Sequence, residues 1–465
     1  MFSVPSLKKS CNFAERTPAH QAQFVLYMNQ RNRQILQLAL PSIVSNITVP
    51  LLGLVDVAIV GHMGNAAFIG AIAVGSMISN MIYWIFGFLR MGTSGMTAQA
   101  RGRRDMTEVV RLLLRSLSVG FLVALAIIVL QEPLKHIAFF LIRPTAEVES
   151  LATTYYYIVV WGAPAMLSLY GLSGWFIGMQ NTRIPMFISI FQNVVNIVAS
   201  LLLVFVCGMK LEGVALGTVI AQYGGLLVAL LLLWKHYRRL RKYTETKGLL
   251  NGKAMWRFFQ VNRDIFLRTL FLVGVNLFFV SAGAAQGETI LAVNTLLIQL
   301  YILFSYVMDG FAFAGEALGG RYWGAGNRAA FTDTVRKLFA WGVVMVVLFT
   351  ALYAFGGSAF LRLLTNETEV IAASTAYFPW AVAIPAAGVA AFVWDGIFIG
   401  TTQTRGMLLS SAISALLFFA TYLLLKPTMA NHALWLAFLV FLLMRGVVQT
   451  VIQPHLNVPP DESEE

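Results

Sequence analysis

The chain has 465 residues, of which 58% are hydrophobic and 12% charged, with a mean hydropathy of +0.73. A soluble domain carries about 25% charged residues, and half that density cannot cover a chain of this length unless lipid covers much of it. The net charge of +12 does not imply a nucleic-acid partner, because the basic residues sit in short polar stretches between long apolar runs.

The N-terminal arm, residues 1–33, holds Lys8, Lys9, Arg16, Arg31 and Arg33 and lacks the basic, apolar, small-residue order of a cleaved signal peptide. An apolar run then predicts a first membrane helix over 34–58. Pro41 and Pro50 lie inside it, and each removes an intrahelical hydrogen bond, so a bend is expected. Asp56 stands near the outer end of this helix, in "PLLGLVDVAIVGHMG". A carboxylate there is costly unless it faces a hydrated interior or takes up a proton. Asp56 is therefore the candidate proton-coupling residue; a solvated, interfacial aspartate is the plainer alternative.

Helices are predicted next over 67–89 and 108–130, on either side of a basic arm with Arg101, Arg103 and Arg104. The stretch from Gln131 to Glu149 mixes both charge signs and reads as an outer loop. Helices over 151–173, 185–207 and 213–234 complete a first set of six. Asn193, Asn196 and Ser200 share one face of the fifth, and Thr218 and Gln222 are one turn apart on the sixth. The two stripes can line a small cavity with Asp56, or they can be interhelical hydrogen-bond glue.

Residues 235–262 form a linker, with nine basic residues between Lys235 and Arg263. Helices over 263–284, 290–313, 333–355, 372–398, 407–427 and 431–453 make a second set of six, followed by a polar tail, 454–465. Asp309 and Glu316 lie close to one face of the eighth helix. Glu316 is near its cytoplasmic end, where a carboxylate is solvated cheaply, and Asp309 is deeper. A further aspartate, Asp395, occurs in "VWDGIFIG". The alternation of basic and weakly charged turns places both termini and the linker in the cytoplasm.

Two segments occur twice. "GWFIGMQNTR" ends at Arg183 and "GIFIGTTQTR" at Arg405, 222 residues apart; the arm around Arg101 has its counterpart around Arg321, 220 residues apart. These offsets predict an all-α polytopic membrane protein, with twelve transmembrane helices in two pseudo-symmetric six-helix bundles: an N-lobe, 34–234, and a C-lobe, 263–453. Long apolar runs exclude a barrel. Cys11 and Cys207 form no disulfide framework, and the histidines show no metal-ligand spacing. Neither a phosphate-binding GxxxxGK nor a nucleophile–histidine–carboxylate set is found, which argues against an enzyme and leaves an ion gradient as the energy source.

"LALPSIVSNITVPLLGLVDVAIVGHMG", "LRMGTSGMTAQARG", "GWFIGMQNTR", "VNRDIFLRT", "MDGFAFAGEALGG" and "WDGIFIGTTQTR" together resemble the multidrug and toxic compound extrusion (MATE) family, in its DNA-damage-inducible protein F branch. The resemblance covers residues 30–453 and implies a V-shaped antiporter of the bacterial inner membrane. It implies export of amphipathic, often cationic compounds in exchange for H⁺ or Na⁺, by a protein with no bound cofactor. Carried over, the first-helix acid is Asp56, the asparagine of the polar cluster Asn196 and the following threonine Thr218. Where the family often has a second acid one turn after that asparagine, this chain has Ser200. One carboxylate suits a proton better than a hydrated metal ion, so proton coupling is expected, with Na⁺ coupling or a flippase for lipid-linked intermediates as alternatives. Small amphipathic substrates and membrane lipids are the expected partners of a monomer.

Overall fold

The computed structural model describes residues 18–61, 66–142, 144–245, 251–365 and 367–453, without the side chains of 18–29, 49–54, 56–57, 60–61, 66–67, 141, 358 and 363–364. The regular structure of the described residues is helical. Helix α1 spans Pro18–Gly61, and α2 (Ala66–Ile85) turns directly into α3 (Phe88–Gly102). Then come α4 (Met106–Val129), α5 (Gln131–Ile142), α6 (Ala146–Val159), a single 3₁₀ turn, and α7 (Ala163–Gly178). Helix α8 (Arg183–Leu201) ends in a π turn at Leu202–Val206, and α9 (Leu211–Tyr237) closes the first half. The second half holds α10 (Gly252–Ala284), α11 (Glu288–Gly324), α12 (Arg328–Leu364), α13 (Thr368–Gly400), α14 (Thr404–Met429) and α15 (Asn431–Ile452).

Eleven helical segments among the described residues are long and apolar enough to cross a membrane. Most helices outrun the apolar stretches that predict them, because hydropathy marks the lipid-embedded part while the helix continues into water. Two stretches differ from the sequence reading. The outer loop from Gln131 contains α5, and α10 begins within the linker, where the Asn251 side chain caps it by accepting from the Lys253 N–H. The π turn is the other local departure, and it lets α8 end one turn before Gly208, whose φ is +69°.

The duplication is visible atom by atom at one end of the molecule. A Cβ on Gly102 would stand 2.1 Å from the Arg321 carbonyl oxygen, and one on Gly324 would stand 2.3 Å from that of Gln99. Both members of this reciprocal pair are offset by 222 residues. The same offset relates Gly174, against the Arg90 carbonyl at 2.2 Å, to Gly396, against that of Ala312 at 2.3 Å. It relates the left-handed residues Gln180 and Thr402 (φ +58° and +54°), and Arg104 and Gly326 (+61° and +67°). It also relates the N-caps Asp105 and Asn327, which accept from the N–H groups of Glu108 and Ala330.

The two repeat turns, Met179–Thr182 and Thr401–Gln403, therefore lie at the same end and run in the same sense, as parallel repeats require. The arm register needs one correction. At the 222 offset the counterpart of Arg321 is Gln99, not Arg101; two arginines two positions out of step suggested the other pairing, whereas glycine contacts set the true one.

Each half has its own apolar core, but three helices cross over. Ile35, Leu38 and Ala39 of α1 and Ile177 of α7 belong to the core built from α10 to α15, and Phe258 of α10 belongs to a core of the first half. Pairing through glycine-to-carbonyl contact leaves no space for a methyl group. Gly102→Ala and Gly324→Ala are each expected to cost about 1–3 kcal/mol, the usual range for overpacking. Gly274, in open space on α10, should tolerate alanine or gain slightly from it. Thermal unfolding in detergent tests this, and equal midpoints for the three variants would exclude a tight α3–α11 contact.

Candidate functional site

The first half holds the neutral polar cluster. Asn196 of α8 donates through Nδ2 to Thr218 Oγ1 of α9 at 3.0 Å, and Thr218 donates in turn to the Val214 carbonyl at 3.1 Å. Asn196, Ser200 and Gln222 are buried, and Asn196 Oδ1, Ser200 Oγ and Gln222 Oε1 have no hydrogen-bond partner among the described residues. Such atoms are costly in an apolar interior. They are also the atoms that a proton donor or a cation would satisfy. Asn193, three residues before Asn196, turns to α1 and donates to the Thr48 carbonyl at 3.1 Å. The two stripes read from the sequence thus face each other through Asn196 and Thr218, with α1 beside them. Asp56 lies on α1, but its side chain is outside the described ones, as is that of Pro50.

Helix α1 runs through Pro41 without interruption. Pro41 has no N–H for the Gln37 carbonyl four residues earlier, and Thr182 Oγ1 lies 3.5 Å from that oxygen as its donor. A neighbouring turn thus replaces the lost helical bond, as apolar surroundings demand.

The second half holds a charged network. Asp395 of α13 is buried and accepts three side chains: Arg268 of α10 and Arg445 of α15, the latter at 2.5 Å, on Oδ2, and Gln449 of α15 at 2.7 Å on Oδ1. Glu316 of α11 is also buried, with 1% of its surface exposed, and pairs with Arg90 of α3 at 3.3 Å. This corrects the expectation of a cheaply solvated carboxylate: α3 crosses α11 there and excludes water, and Arg90, which also stacks on Phe313 at 4.2 Å, supplies the compensating charge. Asp309 is half-buried, makes no hydrogen bond among the described residues, and lies within electrostatic reach of Arg90, Arg268, Asp395 and Glu316. Three guanidinium groups thus stand with three carboxylates.

Arg90, Arg268, Arg445 and Gln449 were not singled out from the sequence. Their signal was present: each is a polar or charged residue on a predominantly apolar helix, and such residues usually pair inside a bundle.

At the basic end the halves are latched together. Gln99 donates to the Gly400 carbonyl at 2.9 Å and to Thr402 Oγ1 at 3.0 Å, and Arg321 donates to Gln180 Oε1 at 3.0 Å. Arg101 donates to the Met179 carbonyl, and Arg31 of α1 holds Tyr322 and, at 3.4 Å, Asp333 of the second half.

Comparison with known proteins places this geometry. The MatE family model matches residues 41–202 and again 265–422. DNA damage-inducible protein F of Escherichia coli is 36% identical over 428 residues, covering 90% of this chain and 92% of that protein. Protein DETOXIFICATION 44, chloroplastic, of Arabidopsis thaliana is 24% identical over 438 residues, covering 89% and 80%. Among solved structures, the MATE transporter VcmN of Vibrio cholerae in its bent form superposes with a TM-score of 0.82 at 16% identity, covering 93% of this chain and 98% of that one.

The Asp395 network has a measurable consequence. Removing one partner of a buried ion pair strands the other, at a cost of about 3–5 kcal/mol. Asp395→Asn should therefore lower the unfolding midpoint sharply, and adding Arg268→Gln should recover part of the loss. Additive losses in a double-mutant cycle would show that the two groups do not act as a pair.

Proposed function

The chain belongs to the MatE family, and from that premise we propose that it expels amphipathic, often cationic compounds across a bacterial inner membrane in exchange for protons, with Asp56 as the coupling carboxylate. It is a secondary active transporter and not an enzyme. In this reading α1 is the twelfth membrane helix, and the chain forms two six-helix lobes, 34–234 and 263–453, joined by a basic cytoplasmic linker at 235–262. Both termini are cytoplasmic, and the protein works as a monomer.

The observation that carries the proton assignment is the uneven use of charge. In the second half Glu316 and Asp395 are already held in direct ion pairs with Arg90, Arg268 and Arg445, so a cation entering at either must displace an arginine, and Asp309 lies within electrostatic reach of Arg90 and Arg268. The first half instead offers buried oxygens on Asn196 and Ser200 of α8, which packs on α1, and on Gln222 of α9, all without a partner among the described residues. A proton on Asp56 removes a charge from that region and supplies a donor for those oxygens. The outer part of α1, tied to α8 by Asn193 and Thr48, can then pack inward and narrow the space available to a substrate. Loss of the proton to the cytoplasm reverses the step. Ser200 leaves the cluster with neutral ligands only, which compensate a dehydrated Na⁺ poorly.

Uptake into proteoliposomes, driven separately by a proton and a Na⁺ gradient over a panel of cationic and anionic amphiphiles, tests this reading. Asp56→Asn is expected to abolish proton-driven transport while the protein still folds, and Ser200→Asp to raise Na⁺ affinity. Strict dependence of the wild-type protein on Na⁺ at fixed pH would reverse the assignment. Topology has its own check, since Cys207 is exposed at the end of α8 opposite Arg183. A membrane-impermeant thiol reagent should label Cys207 from outside intact cells. It should leave Lys242→Cys, in a Cys207→Ser background, unlabelled; the opposite pattern inverts the orientation.

A further inference from the structure

A cavity of about 570 Å³ lies at the basic end, between α1, the turn after α7, the last residue of α9, and Leu318 of α11. Its volume falls within the roughly 300–1,000 Å³ of small-molecule sites. No aspartate or glutamate lines it. Its distinguishing property is which atom of each polar group is already engaged.

Gln34 Oε1 accepts from Arg31 at 3.0 Å and from Tyr322 at 3.3 Å, and Gln180 Oε1 accepts from Arg321 at 3.0 Å. Arginine only donates, so these bonds fix which end of each amide is oxygen. Both amides therefore keep their N–H₂ groups, and Gln180 Nε2 is buried without a partner among the described residues. Tyr237 Oη accepts from Asn181 at 3.3 Å and retains its own proton to donate. Of the lining carbonyls, Met179 is taken by Arg101 and Gln37 by Thr182. Arg183 adds a guanidinium with no ion pair among the described residues, at the positive end of α8.

We propose that this cavity is a binding site for a phosphate-bearing anion. The side-chain acceptors of Gln34 and Gln180 are engaged, donors remain free, and an exposed positive charge stands at its edge, so a ligand supplying several acceptor oxygens and negative charge complements the site. A cation finds no carboxylate in its lining. Because the walls include α1, the latch residue Gln180 and α11, the bound anion also reinforces the contact between the halves. The site lies apart from the buried clusters of both halves and does not depend on the coupling assignment above.

The same chemistry is offered by free phosphate and by an anionic lipid headgroup, and the experiment separates them. The full-length protein is purified in detergent, and its unfolding midpoint is followed against inorganic phosphate, with chloride at matched ionic strength as control. In parallel it is placed in nanodiscs of phosphatidylglycerol or of phosphatidylcholine. Arg183→Ala removes an exposed charge, and Gln180→Glu keeps a partner for Arg321 while placing a carboxylate in the site. A saturable, phosphate-specific rise, weakened about tenfold in both variants, as loss of a charge-assisted hydrogen bond implies, identifies a site for free phosphate. Arg183-dependent stabilisation by phosphatidylglycerol alone identifies a lipid headgroup. Shifts no larger than those in chloride and phosphatidylcholine, or shifts unchanged by both substitutions, overturn the proposal. Should Gln180→Glu fail to fold, Arg183→Ala decides alone.

Discussion

Helices α3 and α11 meet backbone to backbone, and the rest of the molecule is arranged around that contact. Gly102 faces the Arg321 carbonyl and Gly324 faces that of Gln99, so neither half can approach through a side chain. Between membrane helices there is little hydrophobic gain, because lipid is as apolar as leucine, and close packing through small residues takes its place. The same device joins α3 to α7 at Gly174 and Gly178, and α11 to α13 at Gly396 and Gly400. Four helices are thereby held at fixed separation, and the polar latch formed by Gln99, Gln180, Arg321 and Thr402 is in register because the backbones below it are.

The duplicated scaffold is symmetric where it packs and asymmetric where it carries charge. At the 222-residue offset the ion pair of Arg90 and Glu316 corresponds to Ala312 and Ser94, which cannot form one. On α8 and α14, Asn196 and Ser200 correspond to Phe418 and Tyr422, which are buried in an aromatic cluster with Phe278. The first half keeps neutral oxygens on α8 and α9, whereas the carboxylates Asp309, Glu316 and Asp395 belong to the second half, which supplies Arg268 and Arg445 and takes Arg90 from α3 of the first. A charge deep in a bundle must be compensated locally, and the pair of Arg90 and Glu316 does so across the two halves.

Much of this was legible in the sequence, for identifiable reasons. Apolar runs of sufficient length locate membrane helices, and polar residues at spacings of three and four locate a stripe, as with Asn193, Asn196 and Ser200. Helix ends were not legible, since α10 starts at a cap inside a basic stretch and α5 hides among mixed charges. The repeat was legible but not its register in the arm, because the arginines suggested a pairing that the glycines contradict. The Asp395 network was not, because its members stand on three helices and only packing brings them together. Glu316 misled because its position along the helix suggests water, while the helix crossing over it is a tertiary fact.

Helix α1 is the element through which the two halves can influence each other. Its inner part, with Ile35, Leu38 and Ala39, lies in the core of the second half, and its outer part is held to α8 by Asn193. Pro41 sits within the stretch that packs on the second half, which continues to Asn46. By leaving the Gln37 carbonyl to Thr182, it ties the helix to the turn after α7 at the level of the latch. A helix with a continuous backbone ladder would transmit any displacement of its outer end straight to its inner end. One whose ladder is interrupted, and whose loose carbonyl is anchored to a neighbour, is held at that point. A Cβ on Gly310 would stand 2.4 Å from Ile43 Cγ1 and 2.9 Å from the Ala39 carbonyl oxygen, and Asn46 donates to the Tyr306 carbonyl at 3.1 Å, so α1 lies against the second half on both sides of Pro41. In the proposed mechanism an inward movement of α1 therefore starts beyond Asn46, where Asn193 of α8 holds the Thr48 carbonyl.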